Sequence, residues 1–247
     1  MPDTPLDNKS GKISNSPEVP KVDGNSENEK DMIITYMTLR KTIGILGIAL
    51  PFILALGELL IAKNGVQRSV SFYFHKDIGT VFVGTLFVVG FFLFAYRGPD
   101  KIDNIVANWA CIFALGIALF PTTPSDIPKP GEEVIGVIHF IFALLFFLTI
   151  TCMSLFLFTR STKPKQSDEK KQRNKVYKSC GYIMLVSIIL IGVFHLLPKA
   201  VEESLKKFHP VFWLESIALV SFGVSWLTKG EGILKDKPIS DIADVST

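Results

Sequence analysis

Six stretches of this chain, 43–62, 78–96, 105–120, 134–159, 179–197 and 210–228, are nearly free of charge, and polar residues gather in the gaps between them. About 20 apolar residues of helix cross the hydrocarbon core of a bilayer. The pattern therefore predicts an all-α, polytopic membrane protein, a six-transmembrane-helix bundle. The third run is short, and the fourth is long enough to tilt or to emerge from the bilayer. No ten-residue unit alternates apolar with polar as a lipid-facing barrel strand would, so a barrel is excluded.

The ends of the chain are a different material. Residues 1–31 are Pro, Ser, Asn and charge with almost nothing to bury, which predicts a disordered cytoplasmic tail. They carry no basic n-region followed by an apolar core, so the first span is expected to act as an uncleaved anchor. Asp31 suits a helix N-cap, and Ile33, Ile34 and Met37 make an apolar patch. Residues 32–42 thus read as an interfacial lead-in to the membrane domain, 43–228. Residues 229–247 form a C-terminal tail.

Composition supports the membrane reading: 48% of residues are hydrophobic and mean hydropathy is +0.37, while the 20% that are charged are segregated between the runs. Charge also orients the bundle. Arg160, Lys163, Lys165, Lys170, Lys171, Arg173, Lys175 and Lys178 crowd the stretch after the fourth run. Placing that stretch in the cytoplasm puts both termini there too, with fifteen basic residues inside, leaving aside the four lysines of residues 1–31, against seven outside. The expected location is an inner or plasma membrane. Cys111, Cys152 and Cys180 all fall within spans, where they read as small packing residues, and their spacing matches no zinc motif.

With that orientation, the chemistry collects at the outer face. Glu58 ends the first span, His75 and Asp77 lead into the second, and His139 lies just inside the fourth. His195 closes the fifth, His209 precedes the sixth, and Glu215 is a turn and a half into it. Ionisable side chains inside a bilayer are costly and usually face a bundle interior. The loop "SVSFYFHKD", 69–77, places Ser69, Ser71, Tyr73, His75 and Asp77 on alternate positions, and as a helix it would put Ser71 and His75 on one face. A polar face over the outer mouth of the bundle, backed by Phe72 and Phe74, is what a pocket needs. The plainer reading is that Tyr73, His75, His195 and His209 are interfacial rings.

Small residues recur at helical spacing: Ala107, Cys111, Ala114 and Ala118 in the third span, and Ala218, Ser221 and Ser225 in the sixth. They predict close helix packing. There is no phosphate loop, nucleophile elbow or HExxH pair. The basic 160–178 stretch interleaves acids beside the membrane. It therefore suits anionic lipid heads, and no nucleic-acid partner is expected.

The stretches "FVGTLFVVGFFLFAYRGPDKIDNIVANWACIFALGIALFPTTP", "RNKVYKSCGYIM" and "FWLESIALVSFGVSWLTKGE" resemble segments of uncharacterised multi-span membrane proteins. Over about residues 43–228, span count and loop rhythm are similar to the Frag1/DRAM-like group of six-helix proteins. Ser71, His75 and His139 are also superficially similar to the zinc chemistry of the seven-helix alkaline ceramidase and adiponectin-receptor superfamily. This chain has one helix fewer and no HxxxH pair in its last span, so neither resemblance transfers a site residue.

Two functions fit these residues. In one, the protein is a metal-dependent, lipid-modifying hydrolase. His75, His139 and His195 would ligate a metal such as zinc, Glu215 or Asp77 would act as general base or support a ligand, and Ser71 would contact a lipid substrate. In the other, it is a non-enzymatic bundle, either a small transporter or an accessory protein that binds lipid or a partner helix. Glu58 and Glu215 would then be proton or cation sites, or polar glue between helices.

Overall fold

The computed structural model describes residues 24–63, 65–124, 129–161 and 167–233, and all regular structure among them is helical. Helix α1 spans Gly24–Ile61, α2 Gly79–Ala95, α3 Lys101–Leu119 and α4 Glu132–Cys152, which continues into a π-helical turn at Met153–Leu157. Helix α5 spans Asp168–His195, α6 Lys199–Lys206 and α7 Pro210–Lys229, and a 3₁₀ turn at Ser71–His75 precedes α2. Five helices are long and apolar enough to cross a membrane: α1, α3, α4 with its π-helical turn, α5 and α7. Helix α2 is as apolar but shorter, at 17 residues.

Two boundaries differ from the sequence reading. The expected lead-in at 32–42 is no separate element, because no Pro or Gly interrupts it and α1 runs through it without a break. The basic stretch expected as a loop is helical from Asp168 onward. Lys, Arg, Glu and Gln are good helix formers, and Ser167 Oγ caps that helix by accepting from Lys170 N at 3.2 Å. Residues 1–23 of the expected disordered tail and 234–247 of the C-terminal tail lie outside the described residues, while 24–31 belong to α1.

The helices form a ring in the order α1, α2, α3, α4, α5, α7 and back to α1, with α7 wedged between α1 and α5. The α1–α7 contact is close because Gly44 meets Gly223, where a Cβ at position 44 would lie 2.7 Å from the carbonyl oxygen of Gly223. Without a water-driven force between helices in lipid, such backbone proximity and its dispersion contacts bring the two helices together. Phe146, Phe222 and Trp226 fill the ring's interior. In the π-helical turn, Ser154 Oγ donates to the Tyr177 carbonyl at 2.8 Å and lies 2.8 Å from Ser225 Oγ, joining α4, α5 and α7.

The ring has two ends. At the proximal end α1 enters and α7 leaves: Arg40 Nη1 donates to the Lys229 carbonyl at 3.4 Å, and Tyr36 stacks on Tyr96 with centroids 6.1 Å apart. At the distal end Tyr73 packs on Phe212 at 6.2 Å. Helix α2 reaches from this distal turn to Tyr96, whose ring meets Trp226 at 5.0 Å. Helix α4 touches α7 only sparsely, which leaves a gap at the distal end. Cys111, Cys152 and Cys180 are free thiols within α3, α4 and α5.

Candidate functional site

Glu215, on the second turn of α7, reaches across to the 3₁₀ turn. Its Oε2 accepts from Val70 N at 2.6 Å and from Ser71 N at 3.3 Å, and its Oε1 accepts from Ser71 Oγ at 3.5 Å. The start of any helical turn exposes unsatisfied N–H groups. Val70, the residue before this one, offers no capping side chain, so a carboxyl from another helix supplies the acceptors. Ser69 Oγ also accepts, from Phe72 N at 3.0 Å. Tyr73 is buried beneath, and its hydroxyl accepts from Gln67 N at 3.3 Å. Burial pushes the Tyr73 phenol above its usual range, the Gln67 N–H opposes this and the nearby Glu58 carboxyl adds to it. The hydroxyl stays protonated at neutral pH.

The histidines serve the segment that follows α3. His139 Nδ1 lies 2.6 Å from the Phe120 carbonyl and His75 Nε2 lies 2.7 Å from the Thr122 carbonyl. A carbonyl only accepts, so those nitrogens carry protons, and a ring in its neutral form keeps a lone pair on the other nitrogen. The two rings thereby satisfy the Phe120 and Thr122 carbonyls of the segment that follows α3. His139 is buried, and its Nε2 has no partner among the described residues.

A cavity of about 870 Å³ fills the gap between α4, α5 and α7. One wall is apolar, with Phe140, Ala143, Leu144 and Phe147 from α4 facing Ile188, Ile191 and Phe194 from α5. The distal margin is polar, with Ser69, Ser71, Thr122, His139, His209 and Glu215, and with Arg68, Glu202 and Lys206 around it. Thr122 Oγ1 and His209 Nδ1, like His139 Nε2, are buried there without a hydrogen-bond partner. His209 holds a left-handed backbone, φ +51°, where α7 begins. Arg68 lies 4.0 Å over the Phe72 ring and donates to the Thr123 carbonyl.

The structure thus brings Ser71, His139, His195 and Glu215 to one cavity and leaves His75 and Asp77 off its lining. Ser71 and His75 do not converge, because one turns to Glu215 and the other to Thr122. Asp77 is exposed. His195 is exposed as well, with Nδ1 directed at its own helix, 2.8 Å from the Ile191 carbonyl. Zinc needs three or more side-chain donors within one coordination sphere. Among the described residues no group of three His, Cys, Asp or Glu side chains could hold a metal, so His75, His139 and His195 do not fit the expected ligand set. Arg68, Thr122 and Lys206 were not singled out from the sequence. Arg68 and Thr122 lie in connections and Lys206 ends α6, and no local pattern encodes their proximity to α4 and α7.

No family model, no curated protein and no solved structure matches the chain.

Proposed function

We propose that the protein is a six-span integral membrane protein that binds an amphiphile in the distal cavity, the tail along the α4 and α5 wall and the head group at the polar margin. The carrying observation is the pairing of one apolar wall with a margin that holds three buried, unpartnered polar atoms, Thr122 Oγ1, His139 Nε2 and His209 Nδ1. A buried polar atom without a partner costs about 1–3 kcal/mol. A head group carrying a hydroxyl or ammonium donor would meet the His139 lone pair, and its acceptors would meet Arg68 and Lys206. Helix α2 is counted as the sixth span because its 17 residues reach the lower end of spanning length. By the excess of basic residues, the proximal end faces the cytoplasm. The likeness to the Frag1/DRAM-like group belongs to the same proposal and rests on span count and loop rhythm alone. Binding is favoured over hydrolysis because Ser71 is paired with Glu215 and, among the described residues, no group of three His, Cys, Asp or Glu side chains could hold a metal.

The test fills the cavity. Gly192 lines it, and a Cβ there would meet nothing within 4 Å. Gly192→Phe is expected to remove bound dioleoylglycerol, read by native mass spectrometry, with the melting temperature unchanged. Equal lipid occupancy in the variant and the parent would sink the reading.

A further inference from the structure

The proximal end carries a second polar cluster, built by residues distant in sequence and independent of the distal cavity. Arg40 lies with its guanidinium carbon 4.3 Å over the Tyr36 ring and 5.4 Å from the Tyr96 ring. Among the described residues its polar contacts are Nη1 to the Lys229 carbonyl and a long approach to Met37 sulfur, and its Nε is buried without a partner there. The Tyr36 and Tyr96 hydroxyls are buried without partners too, and Tyr96 is completely enclosed. Lys229 Nζ sits 5.1 Å over the Phe158 ring and takes no carboxylate among the described residues. Lys170 and Arg173 lie close enough to add positive potential at Lys229, which Asp103 opposes. Lys170 Nζ is bonded to the Phe158 carbonyl at 2.7 Å.

On Arg40, Tyr36, Tyr96 and Lys229 the unmet groups are all donors or cations, with Asp103 the carboxylate near enough to oppose their charge. Arg40 Nε–H, two phenol O–H groups and the Lys229 ammonium all lack an acceptor, and buried donors seldom stay so. An intramembrane cation normally has a counter-ion. The aromatic rings hold the cations by their faces without neutralising them. What is missing is a compact anion rich in acceptor oxygens. Arg40 and Lys229 are both partly exposed, while the Tyr36 and Tyr96 hydroxyls are buried.

We propose that Arg40 and Lys229, backed by the Tyr36 and Tyr96 hydroxyls, bind a phosphate group at the proximal end of the bundle, the head group of an anionic phospholipid or a free phosphate. The cluster lies where α1 enters and α7 leaves the apolar zone, so a lipid phosphate meets it at head-group depth. Guanidinium and ammonium are the two side chains that recognise phosphate, the first by its fork and the second as a point charge.

The experiment uses the full chain in detergent. Occupancy by phosphatidylinositol 4,5-bisphosphate, and separately by phosphatidylcholine, is measured by native mass spectrometry with and without millimolar inorganic phosphate. The inositol lipid is expected to bind in preference, and Arg40→Gln with Lys229→Gln to weaken it by about tenfold or more. Tyr36→Phe and Tyr96→Phe, which remove only the hydroxyls, are expected to weaken it by a smaller factor and to leave the fold intact. Lys171→Gln, an exposed lysine at the same end paired with Asp168, is expected to change nothing. Displacement of the lipid by inorganic phosphate alone would assign the site to a soluble anion, and resistance to it would assign it to the lipid. Equal binding of both lipids, or an equal loss on Lys171→Gln, would overturn the site. Dioleoylglycerol occupancy in the distal cavity is expected to be the same in all of these variants, so failure here leaves that reading standing.

Discussion

A single methyl group at Gly223 would fall on the carbonyl oxygen of Gly44 and beside Ile48, where backbone and not a flexible side-chain end stands in the way. Helices α1 and α7 would have to separate. Overpacking of this kind costs about 1–3 kcal/mol. Gly223→Ala is therefore expected to lower the detergent melting temperature while retaining helical circular dichroism, whereas Gly84→Ala, where a Cβ meets open space, is expected to leave it unchanged. An equal loss in both would mean that position 223 has no special contact. Close packing of α7 was legible from Ala218, Ser221 and Ser225, but its partner was not, because small-residue spacing marks a face without naming what it meets. Glu215 and His139 were legible as well, since an ionisable side chain inside an apolar run stands out by composition. Their partners, the amides of Val70 and Ser71 and the Phe120 carbonyl, are backbone groups that no sequence pattern labels.

The 3₁₀ turn at Ser71–His75 depends on a residue more than a hundred positions away. Its first amides are bonded to the Glu215 carboxyl, and its aromatic side chains pack down through Tyr73 onto Phe212. The alternation in "SVSFYFHKD" suggested one polar face, but a 3₁₀ turn has three residues per turn. Ser71 and His75 accordingly point to different partners. Removing the carboxyl leaves two amides without acceptors, a loss of about 1–3 kcal/mol for buried groups. In Glu215→Ala, hydrogen exchange at Val70 and Ser71 is expected to speed up, while the amides of α2 keep their protection. Unchanged exchange at both positions would mean that the turn holds itself. The extent of α5 was missed for a related reason. The charged 168–178 stretch lies between two apolar runs, yet its residues are strong helix formers and a Ser167 cap precedes them.

At the scale of the whole molecule, hydrophobic runs mark where helices lie, because a bilayer demands an apolar segment wherever the chain crosses it. Helices α1 and α5 nevertheless extend well beyond their runs, and among the described residues five helices are long and apolar enough to cross. The runs do not encode which helices touch, and the distal gap between α4 and α7 follows from that missing information. Topology joins the two kinds of knowledge. Contacts at the proximal end join the entry of α1, the exit of α7 and the end of α2, while α2 begins at the distal turn. Helix α2 thus runs from one end of the bundle to the other, and counting it as a span puts the entry of α1 and the exit of α7 on the same side of the membrane. On the proposed reading, the basic residues near Arg160 and along the start of α5 put that side in the cytoplasm. The exposed residues Lys171 and Glu133 then lie on opposite faces, since α4 begins at the distal end and α5 at the proximal end. Single cysteines at the two positions, probed in intact cells with a membrane-impermeant maleimide, are expected to label at Glu133→Cys and not at Lys171→Cys until the membrane is opened. The native thiols lie within the helices and react slowly by comparison. Labelling of both from outside would mean that one helix fails to cross, and α2, the shortest, would be the one to remove from the count.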